Sequence, residues 1–323
     1  MKKIDFDKIP KFSELPIKPG APPDSSWGVF GDDDEAGCVN FLTPEGVVEA
    51  AKLVRKGKVF RLDTPINYAQ PPLFERGPAQ HTKKSFEPYG LLIFDDVLDS
   101  YNTQEGSQWD GLGHVGNRRA QAYYNGVKNE EIKVSNKLGI HNWADRFVGR
   151  GVLIDAFRYR SDIGRPINPL TDEAYGLDDL KAALTAQRTE LHPGSILLVR
   201  TGWMEAYVAS AAPAKTEMAS VKKLKACGIE RSREMVAWLW DNRVAAIGTD
   251  CPAVEPWPWS LKDDGALHYR TLSLLGLPLG EQFVLDKLAD DCAADGRWEF
   301  MMVSAPLHLL GGIASPPNAV AIK

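Results

Sequence analysis

The sequence predicts an α/β fold from three observations. Short apolar runs rich in β-branched residues alternate with amphipathic stretches between about residues 43 and 310, as strands and helices do in this class. The chain has 323 residues, 44% of them hydrophobic, which is enough for one large domain with a substantial core. Long segments rich in proline and glycine separate several strands, so a plain doubly wound sheet is not expected.

The first 26 residues differ from the rest of the chain. They hold five prolines among many charges, and we expect an extended arm without a core of its own. Such an arm can lie across a neighbouring subunit, which would favour a homo-oligomer; the alternative is a loose terminus. Residues 27–323 are expected to form a single domain.

Helix and strand signals follow in order along this domain. Thr43 is a good N-cap and Pro44 suits the first helical position, so a helix is predicted to start here and to end by Gly57. Further helices are predicted over residues 177–188, 229–240 and 283–288, and strands over residues 59–62, 91–97, 149–155, 195–200, 244–247 and 299–304. Residues 68–90 and 208–222 are expected to be loops.

The composition excludes several classes of protein. A formal net charge of -5 argues against a nucleic-acid partner, which would need a basic surface. No apolar run approaches the ~20 residues that cross a membrane, and no secretory signal is expected because the N-terminus lacks an apolar segment. Four scattered cysteines, none in a C-x-x-C pair, are typical of buried thiols in a reducing compartment. We therefore expect a cytoplasmic protein without nucleic-acid or membrane partners.

The strongest candidate for a functional site is the turn-rich run from Gln104 to His114. Asp110 and His114 are common metal ligands and acid–base groups, and the amide oxygens of Gln104 and Gln108 suit hard or borderline divalent cations. A polar turn without function is the alternative for such a run. Neither the P-loop pattern G-x-x-x-x-G-K-[ST] nor the hydrolase elbow G-x-S-x-G occurs in the sequence.

Further ligand-type residues lie far downstream, at His268 and Glu281. Alone, His268 would ordinarily be a core or surface histidine, and Glu281 would ordinarily be solvated. Neither residue indicates a metal site by itself.

The order of these residues along the chain resembles the pattern of the cyclase family, which includes kynurenine formamidases and isatin hydrolases. Members of that family carry H-x-G-T-H-x-D-x-x-x-H, and this chain has Gln104-x-Gly106-Ser107-Gln108-x-Asp110-x-x-x-His114 in the same frame. The variant with two glutamines resembles the branch of metal-dependent trans-dienelactone hydrolases. Other shared pieces are Trp27-Gly28, Thr43-Pro44-Glu45, Gly149-Arg150-Gly151, Gly248-Thr249-Asp250 and Gly280-Glu281.

The resemblance implies a fold, a metal site and a reaction. The fold would be a single domain of the swivelling β/β/α type, with a mixed, barrel-like sheet surrounded by helices. One or two divalent ions, Zn²⁺ or Mn²⁺, would bind the residues at the family's ligand positions, which are Gln104, Gln108, Asp110, His268 and Glu281. Asp110 and His114 would be the catalytic residues, with His114 moving the proton of a water that the metal activates.

The resemblance also implies a small-molecule substrate and a homo-oligomer, either a dimer or a tetramer. We expect a hydrolase that opens a lactone or a cyclic amide. The alternatives are an arylformamidase and a non-catalytic protein that binds a small carboxylate at a degraded metal site. Candidates for the walls of the substrate pocket are Trp109, His141, Trp143, Asp250 and Trp257.

The two glutamines leave the coordination open. An amide oxygen binds a divalent ion more weakly than an imidazole nitrogen, so the exchange should weaken a zinc site and favour manganese. Alternatively, the glutamines do not ligate, and one ion is held by Asp110, His114, His268 and Glu281.

Overall fold

The computed structural model describes residues 4–259 and 265–323. Within them the chain forms 13 β-strands and eight α-helices. The strands are β1 (Val59–Arg61), β2 (Gln80–Ser85), β3 (Phe94–Asp99), β4 (Gln108–Asp110), β5 (Val148–Asp155), β6 (Ala174–Tyr175), β7 (Ile196–Arg200), β8 (Gly228–Ile229), β9 (Ala246–Thr249), β10 (Leu279–Glu281), β11 (Glu299–Ser304), β12 (Ala314–Ser315) and β13 (Ala319–Ile322). The α-helices are α1 (Pro44–Ala51), α2 (Asn129–Val134), α3 (Ala156–Asp162), α4 (Leu177–Gln187), α5 (Trp203–Ala209), α6 (Ala212–Met218), α7 (Arg233–Asp241) and α8 (Asp286–Asp295), and a π-helix spans Tyr269–Leu275.

A mixed sheet of nine strands organises the fold. Its order is β1-β13-β11-β5-β7-β9-β10-β4-β12. The four strands β5, β7, β9 and β10 are parallel, and antiparallel strands flank them on both sides. All five residues of β7 are buried, as expected for a strand covered on both faces. The predicted α/β class with a mixed central sheet is confirmed.

Several local predictions are confirmed because capping and periodicity are local signals. The Thr43 hydroxyl accepts a hydrogen bond from the Gly46 amide (3.1 Å) and caps α1. Helix α4 and strand β11 lie where the sequence predicts them. The helix predicted at residue 283 begins instead at Asp286.

Two predicted loops contain regular structure. Residues 68–90 include β2, whose polar sequence is exposed in a hairpin with β3 and so carries no apolar alternation. Residues 208–222 include α6, which begins next to Pro213 and buries Met218. Both predictions are wrong, because polar residues also form an exposed strand and small residues also form a short helix.

The N-terminal arm packs on α7 of its own chain. The Ile9 carbonyl accepts a hydrogen bond from Arg243 (2.7 Å), and the Pro10 carbonyl accepts one from the Trp240 indole (3.0 Å). The Phe12 amide donates to Asp241 (2.8 Å), and the Phe12 side chain is buried. These hydrogen bonds hold the N-terminal arm against its own chain.

All four cysteines are free, buried thiols. In the described ranges, no helix combines the length and the apolar character needed to cross a bilayer.

We expect Gly280→Ala to destabilise the sheet beside the candidate site. An added Cβ at this position would lie 2.5 Å from the Trp109 ring and 2.6 Å from the Phe283 ring. Overpacking of this kind costs about 1–3 kcal/mol of unfolding free energy, measurable by urea denaturation. The matched control is Gly77→Ala, where nothing lies within 4 Å of an added Cβ. Equal stability of the two variants would contradict the close packing of β10 on the core.

Candidate metal centre

The candidate site is built on two antiparallel strands, β4 and β10. Their register places Glu281 opposite Gln108, and Leu279 opposite Asp110. Because side chains alternate along a strand, Gln108 and Asp110 share one face of β4, and Glu281 joins them from β10. All three polar side chains are buried. The sheet therefore holds two carboxylates and an amide on one buried face.

His268 adds an imidazole to this face. It lies immediately before the π-helix and is 5% exposed. Its Nε2 is 3.3 Å from Glu281 Oε1 and 3.7 Å from Asp110 Oδ2. One potential ligand atom from each of these three residues lies within 4.8 Å of the others.

Glu255 fixes the orientation of His268. Its Oε1 is 2.7 Å from His268 Nδ1 and accepts a hydrogen bond from the His268 amide (3.1 Å). Its Oε2 accepts one from the Leu267 amide (2.9 Å). A carboxylate at Nδ1 directs Nε2 of the ring towards the cluster, as in many metal sites. Nothing in the sequence indicates Glu255 as part of the site, because no spacing relates it to His268.

The glutamines turn their amide nitrogens towards the carboxylates. Gln104 Nε2 donates to Asp110 Oδ1 (2.9 Å). Gln108 Nε2 donates to the same oxygen (3.0 Å) and to Glu281 Oε2 (2.8 Å). In this arrangement both side chains act as hydrogen-bond donors to the carboxylates.

Two buried acceptors in the cluster remain unpaired. Gln108 Oε1 and Asp110 Oδ2 have no hydrogen-bond partner within residues 4–259 and 265–323. A buried acceptor without a partner costs about 1–3 kcal/mol. Carboxylate oxygens and imidazole nitrogens are suitable ligands for zinc and manganese. The donor set and the open acceptors therefore fit a divalent cation.

Negative charge dominates the electrostatics of the cluster. Burial lowers the pKa of His268, but hydrogen bonds to Glu255 and Glu281 outweigh it and raise this pKa to about 10. Burial and the charge of Asp110 raise the pKa of Glu281 to about 7. Both shifts indicate that the cluster favours positive charge, carried by a protonated His268 or by a cation.

His114 borders the cluster on a more open side. Its side chain is 26% exposed, and its Nε2 is 3.8 Å from Asp110 Oδ1. Burial lowers the pKa of His114; Asp110 opposes this shift, while His268 and Arg76 add to it. Arg76 reaches this position by donating a hydrogen bond to the Gln104 carbonyl. A histidine with a lowered pKa is neutral near pH 7 and can accept a proton.

The glycines at 111, 113 and 116 follow β4 with the G-x-G-x-x-G spacing of dinucleotide sites. Such a site requires a helix that starts at the glycines and points its N-terminus at the phosphates. Here the His114 amide donates to the Gly111 carbonyl (2.9 Å) in a turn, and the next α-helix, α2, begins only at Asn129. The glycine run therefore forms a turn that presents His114.

Two of the predicted pocket residues lie in the core. Trp109 is fully buried on the opposite face of β4, with its ring 4.7 Å from Phe147 and 5.0 Å from Phe283. Trp143 is also buried, and its indole donates to the Ala36 carbonyl (3.1 Å). Both rings pack the sheet instead of lining a cleft.

Asp250 and His141 bind backbone groups. Asp250 accepts hydrogen bonds from the amides of Thr201 (2.6 Å) and Gly202 (2.9 Å), just before α5. His141 Nδ1 accepts one from the Gly311 amide (3.3 Å). Both side chains therefore stabilise loop backbone through hydrogen bonds.

An aromatic wall stands on the His268 side. The Trp259 ring lies 5.7 Å from His268 and 5.7 Å from Trp257, the fifth predicted pocket residue. Trp257 in turn meets Phe74 edge-to-face at 5.2 Å.

The structure brings together the six residues predicted for metal binding and catalysis (Gln104, Gln108, Asp110, His114, His268 and Glu281).

The chain matches the family described as "Putative cyclase" over residues 60–256. It is 33% identical to a solved structure described as a novel cyclase, with a TM-score of 0.82 over 93% of this chain and 99% of the other. A search among curated proteins finds no match.

Isatin hydrolases share the fold at lower identity. Isatin hydrolase A from Labrenzia aggregata, bound to benzyl benzoate, is 15% identical with a TM-score of 0.59, covering 84% of this chain and 94% of its own. An isatin hydrolase bound to the product analogue thioisatinate is 14% identical with a TM-score of 0.58, covering 86% and 98%.

The family match covers more than half of the chain, and the similarity to the novel cyclase extends over nearly all of it. The protein belongs to the cyclase family.

Proposed function

We propose that this protein is a metal-dependent hydrolase that opens a small lactone or cyclic amide. The observation that carries the proposal is the buried cluster of Asp110, His268 and Glu281, with its unpaired acceptors and a neutral histidine beside it. Two structures that share the fold are named isatin hydrolases, which supports hydrolysis as the reaction.

The cluster would hold the cation through charged ligands. Asp110, Glu281 and the Nε2 of His268 are the ligands we propose, with Gln104 and Gln108 as further ligands if their amides turn. Zn²⁺ and Mn²⁺ both suit this set. When bound, such a cation would polarise the scissile carbonyl and make a water molecule more acidic. Glu255 would keep the His268 ring in the ligating tautomer.

His114 would move the proton. In its neutral form, His114 can accept a proton from the attacking water. The accepting atom would be Nε2, the ring nitrogen that lies 3.8 Å from Asp110 Oδ1. The resulting imidazolium can then donate that proton to the leaving oxygen or nitrogen of the opened ring. Its partial exposure allows contact with a substrate that enters from solvent.

The aromatic wall would bind the ring of the substrate. Trp259, Trp257 and Phe74 offer apolar surfaces for a small, flat molecule. The indole nitrogen of Trp259 is buried and, among the residues described, has no hydrogen-bond partner. It can therefore donate to a polar atom of a ligand.

A non-catalytic protein that binds a small carboxylate is the second candidate. One observation favours it: the amide groups of Gln104 and Gln108 both donate to Asp110 Oδ1. These two hydrogen bonds stabilise part of the negative charge of the Asp110 carboxylate without a cation. Metal analysis separates the two candidates. Purified protein with less than about one tightly held ion per chain, and no binding of added Zn²⁺ or Mn²⁺, would favour the second.

We expect Asp110→Asn to lower metal affinity by at least about 100-fold and to abolish hydrolysis, because it removes the central charged ligand. Metal content by mass spectrometry and a panel of lactones, cyclic amides and formamides would measure both effects. Exhaustive chelation should have the same result in the unmodified protein. Full activity after chelation would contradict the proposed function.

We expect Glu255→Gln to lower metal affinity by about 10- to 100-fold while the fold is retained, because His268 loses the carboxylate that orients it. The matched control is Glu35→Gln, since Glu35 also accepts a backbone hydrogen bond (2.7 Å from the Leu138 amide), while its side-chain partners are Asn142 and Lys137. Equal metal affinity in the two variants would remove Glu255 from the site.

We expect His114→Ala to reduce kcat by about 10²- to 10⁴-fold with the metal content unchanged, because only the proton acceptor is lost. His192→Ala serves as the control, since His192 is 50% exposed and lies outside the cluster. Loss of the metal together with activity would instead identify His114 as a ligand.

A further inference from the structure

A second cavity lies between the N-terminal arm and the π-helix. Its volume is about 620 Å³, which is within the range of pockets that hold small molecules. Residues 20–24 of the arm form one wall, and residues 117, 119 and 120, which follow His114, form another. Side chains from α7 and from the π-helix complete it. Among the described residues that line this cavity, none belongs to the metal cluster.

The π-helix separates the cavity from the metal cluster. His268 and Arg270 are two positions apart on one helical segment, so their side chains point to nearly opposite sides. His268 faces the metal cluster, whereas Arg270 and Leu274, which are four positions apart, line the cavity. The Trp27 indole also lines the cavity and donates a hydrogen bond to the Ser273 carbonyl (2.8 Å). The cavity is therefore a site of its own.

Positive charge is concentrated around this cavity, although the whole chain has a net charge of -5. Arg119, Lys128, Arg233 and Arg270 line it, and Asp24 is the one carboxylate among the described lining residues. Asp24 accepts two hydrogen bonds from Arg233, at 2.9 and 2.7 Å. Because Arg233 already pairs with it, this carboxylate does not neutralise Lys128 or Arg270.

Arg270 has an unmet hydrogen-bonding requirement. Its Nε is buried and has no hydrogen-bond partner within residues 4–259 and 265–323. A guanidinium group is always charged and carries only donors, so leaving a buried N–H without an acceptor is unfavourable. An anion in the cavity would supply that acceptor and a compensating charge.

Lys128 adds a second cation that can reach a ligand. The Lys128 Nζ lies 3.4 Å from the Gln121 carbonyl oxygen, which is a long hydrogen bond. An ammonium group has three N–H donors, so further donors are left for an anion.

We propose that this cavity binds a small organic dianion, either a dicarboxylate or a phosphate monoester, through Arg270 and Lys128. Two negative charges match the two cations that Asp24 does not neutralise. The planar fork of Arg270 suits a pair of carboxylate or phosphate oxygens, and Lys128 acts as a point charge. Pro22, Pro23 and Leu274 offer apolar walls for the organic part of the ligand. The proposal does not depend on the proposed function.

The test is isothermal titration calorimetry of the full-length protein with succinate, phenyl phosphate and, as the monoanion, acetate. Constant ionic strength and a pH of about 8 keep both dianions doubly charged. Arg270→Gln removes the buried cation, and Lys128→Gln removes the exposed one. Arg55→Gln is the matched control, since Arg55 is exposed and is not among the described lining residues. Circular dichroism and thermal melting establish that each variant folds.

We expect saturable binding of at least one dianion, with acetate weaker than either. Arg270→Gln should weaken the binding by about 10-fold or more, because a charge-assisted hydrogen bond is lost. Lys128→Gln should weaken it by about 3-fold, since exposed charges contribute less, and Arg55→Gln should leave it unchanged. If Arg270→Gln does not fold, the surface variant Lys128→Gln decides the outcome.

Three results would overturn the proposal. The first is the absence of saturable binding of both dianions up to ~10 mM, which is above the millimolar affinity of a weak site. The second is acetate binding as tightly as the dianions. The third is binding that Asp110→Asn abolishes while Arg270→Gln and Lys128→Gln retain it, because the dianion would then occupy the metal centre.

Discussion

Buried negative charge around His268 is the constraint on which the candidate site depends. Asp110, Glu255 and Glu281 place three carboxylates about one imidazole, all of them nearly inaccessible to water. Such groups are stable only where donors or positive charges meet them. Backbone amides satisfy Glu255, and glutamine amides satisfy part of Asp110 and Glu281. The acceptors left over at Asp110 and Gln108 make the cluster a place that attracts a cation.

The central sheet fixes the positions of these charges. Glu281 and Asp110 come from neighbouring strands whose register is set by backbone hydrogen bonds, and Trp109 anchors the opposite face of β4 in the core. Residues on paired strands hold their geometry better than residues on loops, which suits a site that must keep ligands within a few tenths of an ångström. His114 lies outside the strands, on a turn, and its side chain is partly exposed.

Gln104 and Gln108 occupy the two positions at which the family resemblance implies histidines. An imidazole offers a lone pair to a metal, whereas an amide can present either its oxygen to a cation or its nitrogen to a carboxylate. In the structure both amides present nitrogen to Asp110. Both amides therefore stabilise the Asp110 carboxylate, and their oxygens face away from Asp110 Oδ1.

The α/β class, the capped helix at Thr43 and buried strands such as β7 could be predicted from the sequence alone, because caps and apolar runs are local signals of helix ends and of burial. The sequence also indicated the six residues of the candidate site. Of these, His268 and Glu281 were indicated by the family resemblance and not by their spacing. The partners of these residues could not be predicted, because they come from segments that are distant in sequence and meet only in the fold. Trp109 faces the core because of the register of β4, and Glu255 meets His268 through a contact between separate segments. The polar strand β2 carries no periodic pattern, because its hairpin buries neither face in this chain.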